Sequence, residues 1–219
     1  GPTFDAGSSA GALYTGVGAA PDTGTVWTQT FAVGTTPNLP DSFGAPTGID
    51  LTLNSGWAGA TTQGDYGVTY FNNLTRDRLY TIGAGDSPQF GFAGLDPSKA
   101  YNVYLYMTKH STSFKLVSTG AERVAMGWAQ AYTSDQFAEA DIYAAFRGLT
   151  GASAYMFTLK GLPAEGWSTG VYGGLAGMQI QEVPKPGALT QYWTFDDGAS
   201  DPTSRTAANA VVSGNTGLT

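Results

Sequence analysis

Apolar residues recur at every second position along much of this chain, and they do so in short runs. Thr47–Leu53 (TGIDLTL) sets Ile49, Leu51 and Leu53 on one face and Asp50 and Thr52 on the other, the period-two pattern of a half-buried strand. Thr25–Val33 alternates likewise, with Val26 and Thr28 against Thr25, Trp27 and Gln29. Further strands are predicted at Phe4–Ser8, Tyr66–Phe71, Arg78–Ile82, Gln89–Phe92, Tyr101–Thr108, Ser113–Val117, Arg123–Trp128, Asp141–Phe146, Tyr155–Lys160 and Gly174–Glu182, separated by Gly, Pro, Asn or Asp. Only Gln136–Arg147 competes as a helix, and the alternation of Ile142, Ala144 and Phe146 assigns its second half to a strand. The Gly/Ala/Ser-rich stretch that follows the first strand, up to Gly24, is too poor in large side chains to pack as a helix and reads as ordered loop. Many short strands with frequent turn signals predict an all-β fold, an antiparallel β-sandwich.

Composition supports that class. The 219 residues include 31 Gly, 13% aromatics and only 12% charged side chains, a mixture suited to pleated strands joined by tight turns. The absence of Cys excludes a disulfide scaffold, a thiolate nucleophile and zinc-finger or iron–sulfur chemistry, and His110 as the single histidine excludes a multi-histidine metal site. No run of eighteen apolar residues and no charged-then-apolar leader occurs, so a soluble domain is expected, and Gly1–Pro2 reads as the scar of a cleaved expression tag. Residues 1–75 hold five Asp and no Lys, Arg or Glu; residues 186–219 hold three Asp and Arg205; the charges between balance. With no basic cluster to neutralise phosphates, neither nucleic acid nor a membrane surface is an expected partner, and a neutral ligand fits better.

Val183–Gly187 (VPKPG) places two prolines in five residues and marks a linker, assigned to 184–187, after a first domain spanning 3–183. Residues 188–219 open with the aromatic strand LTQYWTF and run into a polar tail too short for a core of its own, so they read as a docking strand or the truncated start of a second module.

Several segments carry a resemblance. FDAGSS, YTGVGAAPDTGTVW, DSFGAPTGIDLTL, FAGLDPSKAYNVYLYM and GGLAGMQIQEVP resemble the secreted modules of multidomain bacterial polysaccharide-degrading and surface proteins, a group similar to galactose-binding-domain-like jelly rolls. The tail LTQYWTFDDGASD resembles the opening of a laminin-G-like sandwich. The resemblance implies a jelly roll, secretion or display at a cell surface, attachment to carbohydrate, and neighbouring modules of the parent protein as partners. It also implies a structural calcium near the first and last strands, at Asp5 or Glu182, against which stands the plainer reading of ordinary surface carboxylates.

The residues themselves show no catalytic constellation. There is no G-x-S-x-G elbow to pair with His110, no paired-acid motif among the 13 Asp and four Glu, and no phosphate loop, so no enzymatic activity is expected. What remains is aromatic residues in loops. A sugar has apolar C–H faces ringed by hydroxyls, and its sites combine a flat exposed ring with a few fixed polar groups. Three loops have that make-up: NSGWAGATTQGDY with Trp57 and Tyr66, MGWAQAYTSDQ with Trp128 and Tyr132, and LPAEGWSTGVYGG with Trp167 and Tyr172. For each Trp the competing reading is a plug in the sandwich core, the role that Trp27 fits best; Tyr101, Tyr104 and Tyr106 also look structural. Arg76 and Arg78 in NNLTRDRLY could meet an acidic glycan, although salt bridging through Asp77 is the simpler role. The readings that follow are non-catalytic glycan binding at Trp57, Tyr66, Trp128, Tyr132, Trp167 and Tyr172, a ligand-free spacer, or a small glycoside hydrolase. Because Tyr192, Trp193 and Phe195 place three large apolar groups in four positions, deletion of residues 188–219 should lower the melting temperature in a thermal unfolding experiment.

Overall fold

The computed structural model describes residues 1–6, 13–62, 73–82, 88–107, 110–126, 137–163 and 171–185. Gly1–Val183 form one compact unit, and Pro184–Thr219 form a second, nearly all of which, including the stretch LTQYWTF expected as a strand, lies outside the described residues. The first unit is an all-β sandwich. One sheet has the order β11 (Tyr143–Thr150), β8 (Ala100–Tyr106), β14 (Gly177–Val183), β1 (Thr3–Asp5), β2 (Thr28–Gln29). The other has the order β10 (Glu122–Ala125), β9 (Thr112–Leu116), β12 (Ala154–Gly161), β7 (Gln89–Ala93), β4 (Pro46–Leu53), β3 (Gly34–Pro40). Pairing is antiparallel apart from β1 with β2.

The alternation read from the sequence decides which side chains meet between the sheets. Val103, Leu105, Phe146, Met178 and Ile180 from the first sheet face Leu51, Phe90, Phe92, Phe114 and Phe157 from the second in one continuous core. Phe157 sits at its centre: its ring is 5.7 Å from Phe90, 5.9 Å from Phe92 and, across the gap between sheets, 5.1 Å from Phe146. β11 carries a bulge between Phe146 and Leu149, where Gly148 has φ 66° and donates its N–H to the Asn102 carboxamide at 3.0 Å.

A third, smaller sheet joins the two layers. β13 (Tyr172–Leu175) pairs with β6 (Asp77–Ile82), which pairs with β5 (Gly59–Thr62). Gly173 lies against Gly161 at the end of β12, and only Ala176 separates β13 from β14, so β13 carries the chain from one layer of the sandwich to the other. Leu79 and Leu175 of this sheet close that end of the core. A single helical turn, α1 (Asn73–Arg76), leads into β6 and buries Leu74 against Gly177, where a Cβ would have no room.

The first sheet is buried on its outer face as well. Tyr104, Tyr106 and Tyr143 form a second apolar cluster with Trp27, Leu74 and Ala20, under the irregular segment 13–27. Hydrogen bonds rather than sheet pairing hold that segment. The Tyr106 hydroxyl donates to Gln179 Oε1 at 2.8 Å and accepts from the Ala19 N–H at 2.6 Å; Gln179 Oε1 also accepts from the Ala20 N–H at 3.0 Å, and its amide donates to Asp22 at 3.3 Å. The Trp27 indole donates to the Gly16 carbonyl at 2.8 Å between the rings of Tyr14 and Tyr106. Burial pushes the Tyr106 phenol well above its ordinary pKa, so it stays a neutral donor.

The structure corrects several expected elements. The strand expected over Thr25–Val33 shrinks to Thr28–Gln29, and Trp27 is a core plug just before it. Gly34–Pro40 is a strand that its two prolines had hidden; it lies at a sheet edge with a register shift after Thr36, where a missing N–H costs no ladder bond. Gly59–Thr62 was likewise not expected. The run Gly174–Glu182 divides into two strands at Ala176, and the strand expected from Asp141 begins at Tyr143 after a turn. The strand expected at Tyr66–Phe71 and the ends of Phe4–Ser8 and Arg123–Trp128 lie outside the described residues. Replacing Gln179 by Ala should cost about 1–3 kcal/mol in denaturant unfolding, because it strands the buried Ala20 N–H and a Tyr106 hydroxyl together.

Candidate functional site

Strand register sorts the connections between the two ends of the sandwich. Tyr106 lies beside Tyr143 and Gly177, Ala125 beside Thr112, and Thr112 beside Gly161, so β8, β10 and β12 end, and β9, β11 and β14 begin, at one end of the sandwich. Leu53 lies beside Phe90, and Phe90 beside Phe157, which brings the start of the Trp57 loop to that end too. The other end carries tight turns. Asp96 fixes one by accepting the Ser98 N–H at 2.8 Å and its hydroxyl at 2.6 Å, which holds the Asp96 carboxyl below its usual range.

Two hydroxyl residues stitch the loop-bearing end together. Ser111 donates to the Met126 carbonyl at 2.5 Å, and its own carbonyl accepts the Leu162 N–H at 2.9 Å. Thr112 donates to the His110 carbonyl at 2.8 Å and accepts the Gly174 N–H at 3.1 Å. Their effect is to place His110 beside Tyr172, with ring centroids 5.3 Å apart and planes inclined by 31°. Both rings are half-buried. Ile82, opposite Tyr172 on β6, and Met126 are exposed nearby along the chain path. His110 is the single histidine of the chain. Its ring partner is 62 positions away in the chain, so no local pattern signals the pair.

Of the six residues expected to stack on sugar, Tyr66, Trp128, Tyr132 and Trp167 lie outside the described residues. Tyr172 takes the half-buried place just described. Trp57 is half-buried and packs in part against the core, its ring 6.1 Å from Phe90, a placement that leans towards the core-plug alternative. The physical reason is that Leu53, directly before the loop, points inward beside Phe90, and the short segment 54–58 keeps the indole near the same ring.

Charged residues expected at the site are placed elsewhere. Arg78 and Asp77 are buried, with the Arg78 guanidinium 5.3 Å from the Tyr80 ring centroid, so Arg78 is not an exposed glycan contact. Asp5 is buried, accepts the Tyr14 N–H at 3.0 Å and lies opposite Gly177. Glu182 is five residues further along β14, roughly 17 Å away by strand rise, and is ion-paired with Lys99 at 2.8 Å. One calcium cannot bind both, and among the described residues no group of three potential acidic or imidazole ligands occurs. Glu122 pairs with Lys160 at 3.7 Å and Glu139 with Arg147, whose hydrogen bonds hold the Glu139 carboxyl below its usual range. Every described glutamate therefore has a basic partner, while Glu165 lies outside the described residues.

No protein-family model, no curated protein and no solved structure matches the chain. Trp57→Ala should lower stability by about 2 kcal/mol in chemical unfolding, as expected for emptying half of a core contact; an unchanged midpoint would return Trp57 to the surface.

Proposed function

We propose that the sandwich is a non-catalytic carbohydrate-binding module, of the galactose-binding-like jelly-roll type, within a larger secreted or surface protein. The observation that carries the reading is the Tyr172–His110 ring pair at one end of the sandwich, held by Ser111 and Thr112. Rigid strands beneath irregular loops are the usual setting of a binding site, and a half-buried tyrosine offers one ring face to the C–H groups of a neutral sugar. In this reading Tyr172 stacks and His110 supports its ring, and Trp128 and Trp167, which lie outside the described residues, remain candidates from the sequence alone. A bound calcium has no role in it.

The packing of Trp57 against the core favours a second reading, a ligand-free spacer between modules. A glycan array and retention on immobilised polysaccharides separate the two. Wild-type protein should be retained by at least one neutral glycan, and Tyr172→Ala, Trp128→Ala or Trp167→Ala should weaken retention at least about tenfold, the effect of losing roughly 1.4 kcal/mol of stacking, with little change in melting temperature. Absence of retention on every glycan, or full retention by all three variants, would favour the spacer. Release of reducing ends that a carboxylate substitution abolishes would establish a hydrolase instead.

A further inference from the structure

The small sheet carries a second tyrosine, Tyr80, on the face that bears Tyr172. Leu79 and Leu175 point into the core, so by alternation Tyr80 and Ile82 of β6 and Tyr172 of β13 point away from it. Tyr172 lies directly opposite Ile82, and Tyr80 lies between Gly174 on one neighbouring strand and Gly59 on the other. Tyr80 and Tyr172 are therefore diagonal neighbours on one face, with Cβ atoms roughly 7 Å apart, a separation that two aromatic side chains span.

The glycines decide how Tyr80 sits. Neither flanking position has a side chain, and the ring lies over β5: a Cβ at Gly59 would stand 3.2 Å from Tyr80 Cε1, 3.2 Å from its hydroxyl oxygen and 3.4 Å from Cζ. The Arg78 guanidinium, 5.3 Å from the ring centroid, braces it further. A ring held by backbone and by a buried neighbour has its orientation set before a ligand arrives, so little conformational freedom is lost on binding.

Exposure rises along β6 towards Tyr172. Arg78 is buried, Tyr80 is half-buried and Ile82 is 44% exposed, so the face is continuous with the Tyr172–His110 pair. The three strands of the small sheet hold two charged residues, Asp77 and Arg78, and both are buried. What the open part of this face presents is therefore two uncharged rings with an aliphatic side chain between them, which matches the apolar C–H faces of neutral sugars.

We infer that Tyr80 is a second stacking residue beside Tyr172, and that the site takes a run of at least two neutral sugar units lying from Tyr172 over Ile82 to Tyr80. The inference rests on the carbohydrate-binding reading and adds to it the length of the ligand. A single ring holds one sugar, whereas two rings fixed on one sheet hold neighbouring sugars of the same chain.

Calorimetric titration of the full chain with cello-, xylo-, manno- and galacto-oligosaccharides, from monosaccharide to hexasaccharide, tests this. At least one series should bind, with affinity rising at least about tenfold from the monosaccharide to the trisaccharide. Tyr80→Leu, which keeps apolar bulk over Gly59 and should melt normally, should abolish that rise and leave monosaccharide affinity unchanged; Tyr80→Phe should retain the rise. In wild-type protein the bound trisaccharide should protect Tyr80 from nitration by tetranitromethane, a readout that needs no variant. A length dependence that survives Tyr80→Leu, or a Tyr80 that is nitrated as fast with ligand as without, in a protein whose binding Tyr172→Ala weakens, overturns the inference and leaves the carbohydrate reading standing. Failure of every series to bind overturns both.

Discussion

The contact between Phe146 and Phe157 is the one on which the rest of the arrangement depends. It joins the two sheets through ring centroids 5.1 Å apart, with Phe90 and Phe92 of the neighbouring strand packed beside Phe157. Phe146 sits on the edge strand β11, paired with β8, and Phe157 on β12 between β7 and β9, so their positions propagate through pairing to the registers of β8, β7 and β9. Those registers in turn decide which connections emerge at which end. The gathering of the long loops at one end, and of the tight turns at the other, is therefore a consequence of how the core aligns the strands.

The first sheet carries a second constraint. Tyr104, Tyr106 and Tyr143 on its outer face are large and apolar enough to require cover, yet each bears a hydroxyl. The segment 13–27 meets both needs, supplying Trp27 and Ala20 for packing and main-chain N–H groups for hydrogen bonding to Tyr106 and Gln179. Glycine recurs in this segment where the chain lies close over the sheet, as at Gly18, where a Cβ would meet both the Tyr106 hydroxyl and Gln179. The second sheet has no such cover on Lys115 or Gln89, which are exposed, so the two faces of the sandwich differ in chemistry.

Most of the strands could be found from alternation because each needs only its own neighbours in sequence to show which face is buried. Ile49, Leu51 and Leu53 are inward as their spacing indicates, and Tyr104 and Tyr106 share a face. Gly34–Pro40 did not announce itself, since its strand character comes from pairing with β4 at a sheet edge that tolerates proline. The candidate site was less legible. Loop composition marked Tyr172 but gave no sign of its pairing with His110, and it marked Trp57 without revealing that Phe90 would hold the indole.

The amino-acid sequence by itself determined the all-β class and the inward faces of the strands, since period and composition are local properties. Tertiary structure alone decided that the first sheet is buried on both sides, that β13 crosses from one layer to the other, and that His110 meets Tyr172. Each of these depends on residues tens of positions apart being brought together by strand pairing and the shared phenylalanine core, and no local pattern encodes such a meeting.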